Sequence, residues 1–229
     1  MSLVHHDGSA LPCLKGSTLF DYADALKVRV PTSCGRTGEC HECVVEIRQG
    51  MESLTPIQPS EVFLRENYRL ACQATISETD LDVEFSVLRR QPQILVHSTN
   101  RRRSLAPAVT RYRDTVRQNG EQIDKYRGRI LGLAVDIGTT TVAMNLVDLE
   151  NGDGLYTSSF ENPQRFGGSD LMHRITYDGG PYHGELRKVL LAAINFEIGD
   201  MARNLGLHRR QIYDVVVVGN TTMRDIFFG

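Results

Sequence analysis

No run of 18 apolar residues occurs in the 229-residue sequence, so no membrane-spanning helix and no membrane partner are expected. Met1 to His6 is short and mixed, without the charged-then-apolar pattern of a secretory leader. There is no internal repeat and no long low-complexity tract. No GxGxxG follows a strand, which removes the flavin and NAD fingerprints, and with them the case for a reductase fragment. The basic middle of the chain has few aromatics, only Tyr112 and Tyr126, so nucleic acid is a poor partner. Cysteine is scarce and odd in number, at five, which disfavours a disulfide framework and suits a reducing cytoplasm.

Four of those cysteines are organised. Cys34-Gly35-Arg36-Thr37-Gly38-Glu39-Cys40-His41-Glu42-Cys43 is followed, after 28 intervening residues, by Cys72 in Leu70-Ala71-Cys72-Gln73. Four thiolates can hold a [2Fe–2S] cluster, three of them commonly from one tight loop. Gly35 and Gly38 suit the unusual backbone angles such a loop needs. Zinc is an alternative, although it prefers two close pairs and only Cys40 and Cys43 form one here. Inert buried thiols are the other. Cys13 is left over and reads as a small core residue. The pattern resembles ferredoxins of β-grasp type, with a five-residue first gap where the plant type has four.

Charge is unevenly placed. Residues 1–88 carry a net of −6, residues 89–129 a net of +8, and residues 130–229 a net of −4. The acidic face around Glu39 and Glu42 is expected to meet a basic surface, either 101–113 or a redox partner, in a salt-sensitive way. The bland alternative is that 89–129 is a solvated linker.

In chain order, a turn at Asp7-Gly8 precedes a strand. Thr18 with Asp21 forms a capping box for a helix from Leu19 to about Lys27. Strands are expected from Cys43 to Ile47 and over Leu81–Val87, where apolar and polar residues alternate. In 89–129, Val109, Tyr112 and Val116 fit a weak helical face that Asn119-Gly120 ends. Ile130 to Val135 reads as a buried strand, Val142 to Leu149 as a second and Leu155 to Phe160 as a third. Ser169 is the expected N-cap of a helix through Tyr177. Glu185 to Leu205 reads as a long amphipathic helix ended by Gly206. Val215 to Val218 reads as a buried strand leading into a helix at Gly219-Asn220-Thr221-Thr222.

Between the first two of those strands lies Asp136-Ile137-Gly138-Thr139-Thr140-Thr141. Without GKS or GKT it is no Walker loop. Gly138 lets backbone approach a phosphate, Thr139 and Thr140 can donate, and Asp136 can hold Mg²⁺ directly or through water. Gly219 and Asn220, at a helix start, offer a second anion contact. A polar hairpin tip is the alternative.

The order of these motifs, with AVDIGTTTVAMNLVD, ENPQRFGGSDLMHRI and VVVGNTTM, resembles the ATP-dependent reductive activators of corrinoid proteins. These join a [2Fe–2S] domain to a nucleotide-binding domain of the sugar kinase, Hsp70 and actin superfamily. The resemblance implies one-electron reduction of a cobalt(II) corrinoid protein, supplied by an upstream electron donor and driven by ATP with Mg²⁺. It implies Cys34, Cys40, Cys43 and Cys72 as cluster ligands, and Asp136, Gly138, Thr139 and Thr140 as a first phosphate motif. The loop Gly167-Gly168-Ser169-Asp170 carries one residue more than the family's usual Gly-Ala-Asp. The later phosphate and adenosine motifs do not occur, so the sequence is expected to be a fragment that does not hydrolyse ATP alone. The expected fold is α+β and multidomain: a β-grasp ferredoxin over 1–88, a basic linker over 89–129, and over 130–229 the incomplete start of an RNase H-like, actin/Hsp70-type α/β lobe. The competing function is a simple ferredoxin-type carrier whose C-terminal segment only docks a partner.

Overall fold

The computed structural model describes residues 2–88 and 105–229. The chain divides into two compact units. One comprises Met1–Arg90, Pro163–Ala193 and Ile226–Gly229; the other comprises Gln91–Asn162 and Ile194–Asp225.

The first unit opens with β1 (Leu3–His6) and β2 (Ser9–Pro12), joined through Asp7 and Gly8. Both turn residues have positive φ, 43° and 80°, as a two-residue hairpin turn matched to strand twist requires. Helix α1 (Leu19–Ala25) starts at the expected capping box: the Asp21 N–H donates to Thr18 Oγ1 and the Thr18 N–H to the Asp21 carboxylate. It ends two residues earlier than the sequence suggests, where Lys27 turns to φ 58°. Strands β3 (Val44–Gln49), β4 (Tyr68–Leu70) and β5 (Val83–Val87) complete a five-stranded sheet in the order β2-β1-β5-β3-β4. The β1–β5 pair is parallel and the others antiparallel. This mixed sheet with one crossing helix is the expected β-grasp arrangement. Val4, Val45, Ile47, Val83 and Phe85 from the strands and Leu19, Phe20 and Ala23 from α1 fill its core, and Cys13 is buried among them. The unit also holds α2 (Leu171–Asp178) and the start of α3 (Glu185–Leu205). The N-cap of α2 is Asp170 rather than Ser169: its carboxylate, one residue closer, accepts from the His173 N–H.

The second unit contains two sheets. Strands β6 (Val109–Tyr112), β7 (Thr115–Gln118) and β8 (Glu121–Lys125) form an antiparallel meander. The helical face expected over Val109, Tyr112 and Val116 is therefore wrong. Val109 and Val116 instead point from neighbouring strands into one small cluster with Ile130. Asn119 and Gly120, at φ 51° and 90°, form a hairpin turn rather than a helix end. The rest of the basic stretch, 89–104, lies outside the described residues. Strands β9 (Leu131–Ile137), β10 (Thr141–Asp148), β11 (Gly154–Glu161) and β12 (Ile212–Gly219) form the second sheet in the order β11-β10-β9-β12. The β9–β12 pair is parallel. Val215, Val216 and Val218 are each more than half exposed, against the buried strand expected. Among the described strands β12 is at the sheet edge, so its apolar residues lack a neighbour on one side. Helix α4 (Thr221–Phe228) follows at once, and the Asn220 side chain accepts from the Met223 N–H at 2.9 Å.

Candidate metal centre and phosphate loop

Three cysteines sit on the loop between α1 and β3, and the fourth follows β4. Register brings them together: Val44 pairs with Leu70, and the Ala71 N–H donates to the Cys43 carbonyl at 2.8 Å. Cys43 and Cys72 thereby meet, with the Cys43 thiol donating to Cys72 Sγ at 3.4 Å. Cys34 and Cys40 form a second hydrogen-bonded pair. The loop needs left-handed backbone at Gly35 and Gly38, as expected, and also at Arg36 and His41, φ 73° and 58°. Such angles are costly for bulky residues and persist only when neighbours hold them. Arg36 lies 4.0 Å over the Phe20 ring and pairs with Asp21 and Asp24. His41 stacks on Phe63 at 4.1 Å, and its Nδ1 is 2.8 Å from the Glu185 carboxylate.

The thiols differ in acidity. Burial opposes ionisation of Cys34, but the Thr37 hydroxyl, the Cys40 and Gly38 N–H groups and the Cys40 thiol outweigh it, and its pKa is lowered to about 5. At Cys72 the bond from Cys43 dominates and the Gln73 amide adds to it, against burial, giving about 7. Cys43 donates to Cys72 and is buried, and both push its thiol up. A two-iron core with four thiolates fits this donor set, two sulfurs to each iron. Among the described residues no three His, Cys, Asp or Glu side chains are grouped as a single-ion site requires.

The strand that delivers Cys72 is anchored by an ion pair with no local sequence signal. Arg69 and Glu61 are both buried and joined by two bonds of 2.9 Å, Nε to Oε1 and Nη2 to Oε2. Glu61 also accepts the Leu70 N–H at 2.8 Å and the Gln58 N–H at 2.9 Å, while Arg69 Nη1 donates to the Thr55 carbonyl at 2.9 Å.

In the second unit the strand ends gather the other predicted residues. Asp136 is exposed near the end of β9, opposite Val218, and Gly219 pairs with Ile137. Asn220 caps α4 beside them. The Gly138 N–H donates to the Thr141 carbonyl at 2.9 Å, and a Cβ at position 138 would lie 2.6 Å from that oxygen. Thr139 is half-buried and Thr140 exposed. The sequence reading of this site missed Asn162. Its Nδ2 donates to the Gly138 carbonyl at 2.8 Å and its N–H to the Thr140 carbonyl at 2.7 Å, fixing the loop from both sides.

Comparison with known proteins also distinguishes two parts of the chain. Residues 4–77 match the family described as the 2Fe-2S iron-sulfur cluster binding domain, and residues 131–229 match the RACo middle region. The chain joins a 2Fe-2S cluster-binding domain to a RACo middle region. The cluster-binding domain contains all four organised cysteines, and the RACo middle region begins at the first residue of β9. The corrinoid activation enzyme RamQ of Eubacterium limosum is 33% identical over 100 residues, which is 43% of this chain and 17% of RamQ. A 2Fe-2S ferredoxin of Pseudomonas aeruginosa is 28% identical over 86 residues, 34% of this chain and 77% of the ferredoxin. A solved reductive activator for corrinoid, iron-sulfur protein superposes with a TM-score of 0.48 at 23% identity, covering 99% of this chain and 48% of the activator. The matched stretches thus span less than half of RamQ and of the activator. No helix among the described residues is long and apolar enough to cross a membrane.

Proposed function

We propose that this chain transfers single electrons for the reductive activation of a corrinoid protein, with the cluster held by Cys34, Cys40, Cys43 and Cys72. The observation that carries this reading is the convergence of four thiols as two pairs in a cluster-binding domain that is fused to a RACo middle region. A bound [2Fe–2S] cluster supplies a one-electron couple. The protein's part is to hold the four sulfurs, to shield Cys40, Cys43 and Cys72 from water, and to leave Cys34 more open. Gly38 and Cys40 aim backbone N–H groups at Cys34, and such donors favour the more negative state of a cluster.

The nucleotide part of the proposal rests on the loop at the end of β9. Asp136 holds Mg²⁺, the Gly138 backbone approaches ATP phosphates, and the Thr139 and Thr140 hydroxyls donate to them. Gly219 and Asn220 form the second anion contact. An upstream electron donor, acting in a reducing cytoplasm, supplies the electron, and a cobalt(II) corrinoid protein accepts it.

The test is anaerobic mixing of the reduced chain with a cobalt(II) corrinoid protein, followed by the absorption of cobalt(I). Reduction is expected, and ATP with Mg²⁺ is expected to drive it further in a chain that carries both lobes of the nucleotide site. There Asp136→Ala abolishes the stimulation and leaves the cluster absorption intact. Equal transfer to any redox acceptor, with no preference for the corrinoid protein, would instead favour a simple ferredoxin-type carrier.

A further inference from the structure

We propose that Gln73 sets the potential of the cluster by donating a hydrogen bond from its side-chain amide to the sulfur of Cys72. Gln73 Nε2 lies 3.3 Å from Cys72 Sγ and 3.5 Å from the Arg36 carbonyl oxygen. Both neighbours are acceptors, so the NH₂ end of the amide faces them; the carbonyl end would meet only repulsion. The backbone is held as well, since the Gln73 N–H donates to the Leu70 carbonyl at 2.9 Å.

A slot keeps the amide in place. A Cβ on residue 38 would lie 3.0 Å from Gln73 Nε2, 3.1 Å from its Cδ and 3.0 Å from Ser60 Oγ. The missing side chain at Gly38 therefore serves two ends. It allows the loop its φ of 88°, and it leaves room for the amide between the loop and Ser60. Neither Cys72 nor Arg36 requires a glutamine for folding: the Arg36 carbonyl is reached only at the long limit of a hydrogen bond, and the sulfur can be buried without a donor.

Reduction adds negative charge, part of which falls on the ligand sulfurs. A donor at 3.3 Å is attracted more strongly to the reduced state than to the oxidised one, so it raises the potential. Removing it lowers the potential. The inference rests on the reading of Cys72 as a cluster ligand.

The experiment is an anaerobic redox titration of the cluster-loaded full chain, followed by absorption and by the electron spin resonance of the reduced cluster. Gln73→Leu leaves an apolar side chain one atom shorter and loses both donors. Its reduced-to-oxidised ratio at a fixed poise is expected to fall severalfold, up to about tenfold, the latter being about 59 mV for a one-electron couple. Gln73→Glu places a carboxylate against the sulfur and is expected to fall further. Gln73→Met keeps the side chain's length without its donors and is expected to move the ratio in the same direction, which keeps the test open if Gln73→Leu does not load. An unchanged potential in the loaded variants, with or without faster iron loss, overturns the proposal and leaves Gln73 a packing residue. Cys72→Ser separates the two readings. If that variant keeps the wild-type cluster spectrum, the ligand assignment itself fails. If it loses or shifts the spectrum while Gln73→Leu and Gln73→Met keep the wild-type potential, only the role of Gln73 fails.

Discussion

Replacing Glu61 by Ala should cost this protein more stability than any change at its exposed charges. The reason is burial: Glu61 and Arg69 are 0% and 1% exposed, and each is satisfied almost wholly by the other and by backbone. Removing the carboxylate breaks both bonds to the guanidinium and strands the Leu70 and Gln58 N–H groups. A buried ion pair broken on one side costs about 3–5 kcal/mol, because the remaining charge is left uncompensated. With a urea slope of about 2 kcal/mol per molar, the midpoint should fall by roughly 2 M. Arg69→Met alone should cost less than Glu61→Ala, since Glu61 would keep its two backbone donors. The double variant Glu61→Leu with Arg69→Met should recover the part of the loss that comes from the uncompensated charge, while the Leu70 and Gln58 N–H groups stay without their acceptor. Far-UV circular dichroism during urea titration reads all four proteins. A midpoint shift below about 0.5 M for Glu61→Ala, at unchanged slope, would refute the reasoning.

Other outcomes follow from single sites. Cys34→Ser and Cys72→Ser should abolish or shift the [2Fe–2S] absorption while Cys13→Ser, buried in the β-grasp core, should retain full iron content by chemical assay. Gly50→Ala should destabilise by at least about 2 kcal/mol in the same urea assay, because φ is 77° and the new Cβ would lie 2.2 Å from the Asp82 carbonyl oxygen. Asn162→Ala should leave the Gly138 carbonyl unpaired at a cost of about 1–3 kcal/mol, read as faster amide exchange over 138–141 with an unchanged cluster spectrum. The Asp82 carboxyl is held below its ordinary value by the Leu3 N–H first and by His5 after it. Its contribution is therefore complete above the ordinary carboxylate range and lost as pH falls through the lowered value; a carboxyl NMR titration with a normal midpoint would contradict this.

What the sequence disclosed was what local rules encode. The Cys34–Cys43 run, the Thr18–Asp21 capping box and the alternation into β5 each depend on residues close together in the chain, and each is found in the structure; Cys72, 29 positions after Cys43, was read from its Leu70-Ala71-Cys72-Gln73 setting. The meander was misread for a physical reason. Val109, Tyr112 and Val116 fall near a helical period by coincidence, and the +8 charge of the stretch suggested a solvated linker. Yet Asn119-Gly120 is the strongest short hairpin signal there is, and it outweighs three loosely spaced apolar residues. The arginines there also cover the two tyrosines, Arg111 over Tyr126 at 3.8 Å and Arg117 over Tyr112 at 4.3 Å. Asn162 and the Glu61–Arg69 pair were illegible because their roles depend on how loops fold back on strands, and the Gln73 amide because its aim at the neighbouring Cys72 sulfur is set by the space beside Gly38. Asn162 stands 24 positions from the carbonyl its side chain holds.

Part of the acidic charge in the first unit is met within that unit. The acidic face around Glu39 was expected to meet 101–113 or a redox partner. In the structure its neighbours come from Pro163–Ala193: Arg165 pairs with Glu46 at 2.6 Å, Lys188 Nζ is 3.4 Å from the Glu39 carbonyl oxygen, and Glu185 accepts His41. These pairs are only about one-fifth exposed, so they are screened less than surface pairs, but the cost of desolvating both partners offsets much of their attraction. Beneath them Phe63 meets Phe166 edge-on at 5.8 Å, Phe166 meets Tyr177 at 5.7 Å, and the Tyr177 hydroxyl donates to the Phe63 carbonyl at 2.6 Å. All three rings are buried, and each contributes about 1.5–3 kcal/mol by burial. Apolar packing therefore outweighs the ion pairs at this seam. Raising salt should loosen the seam little, and a steep salt dependence belongs only to partners that approach the acidic face from outside.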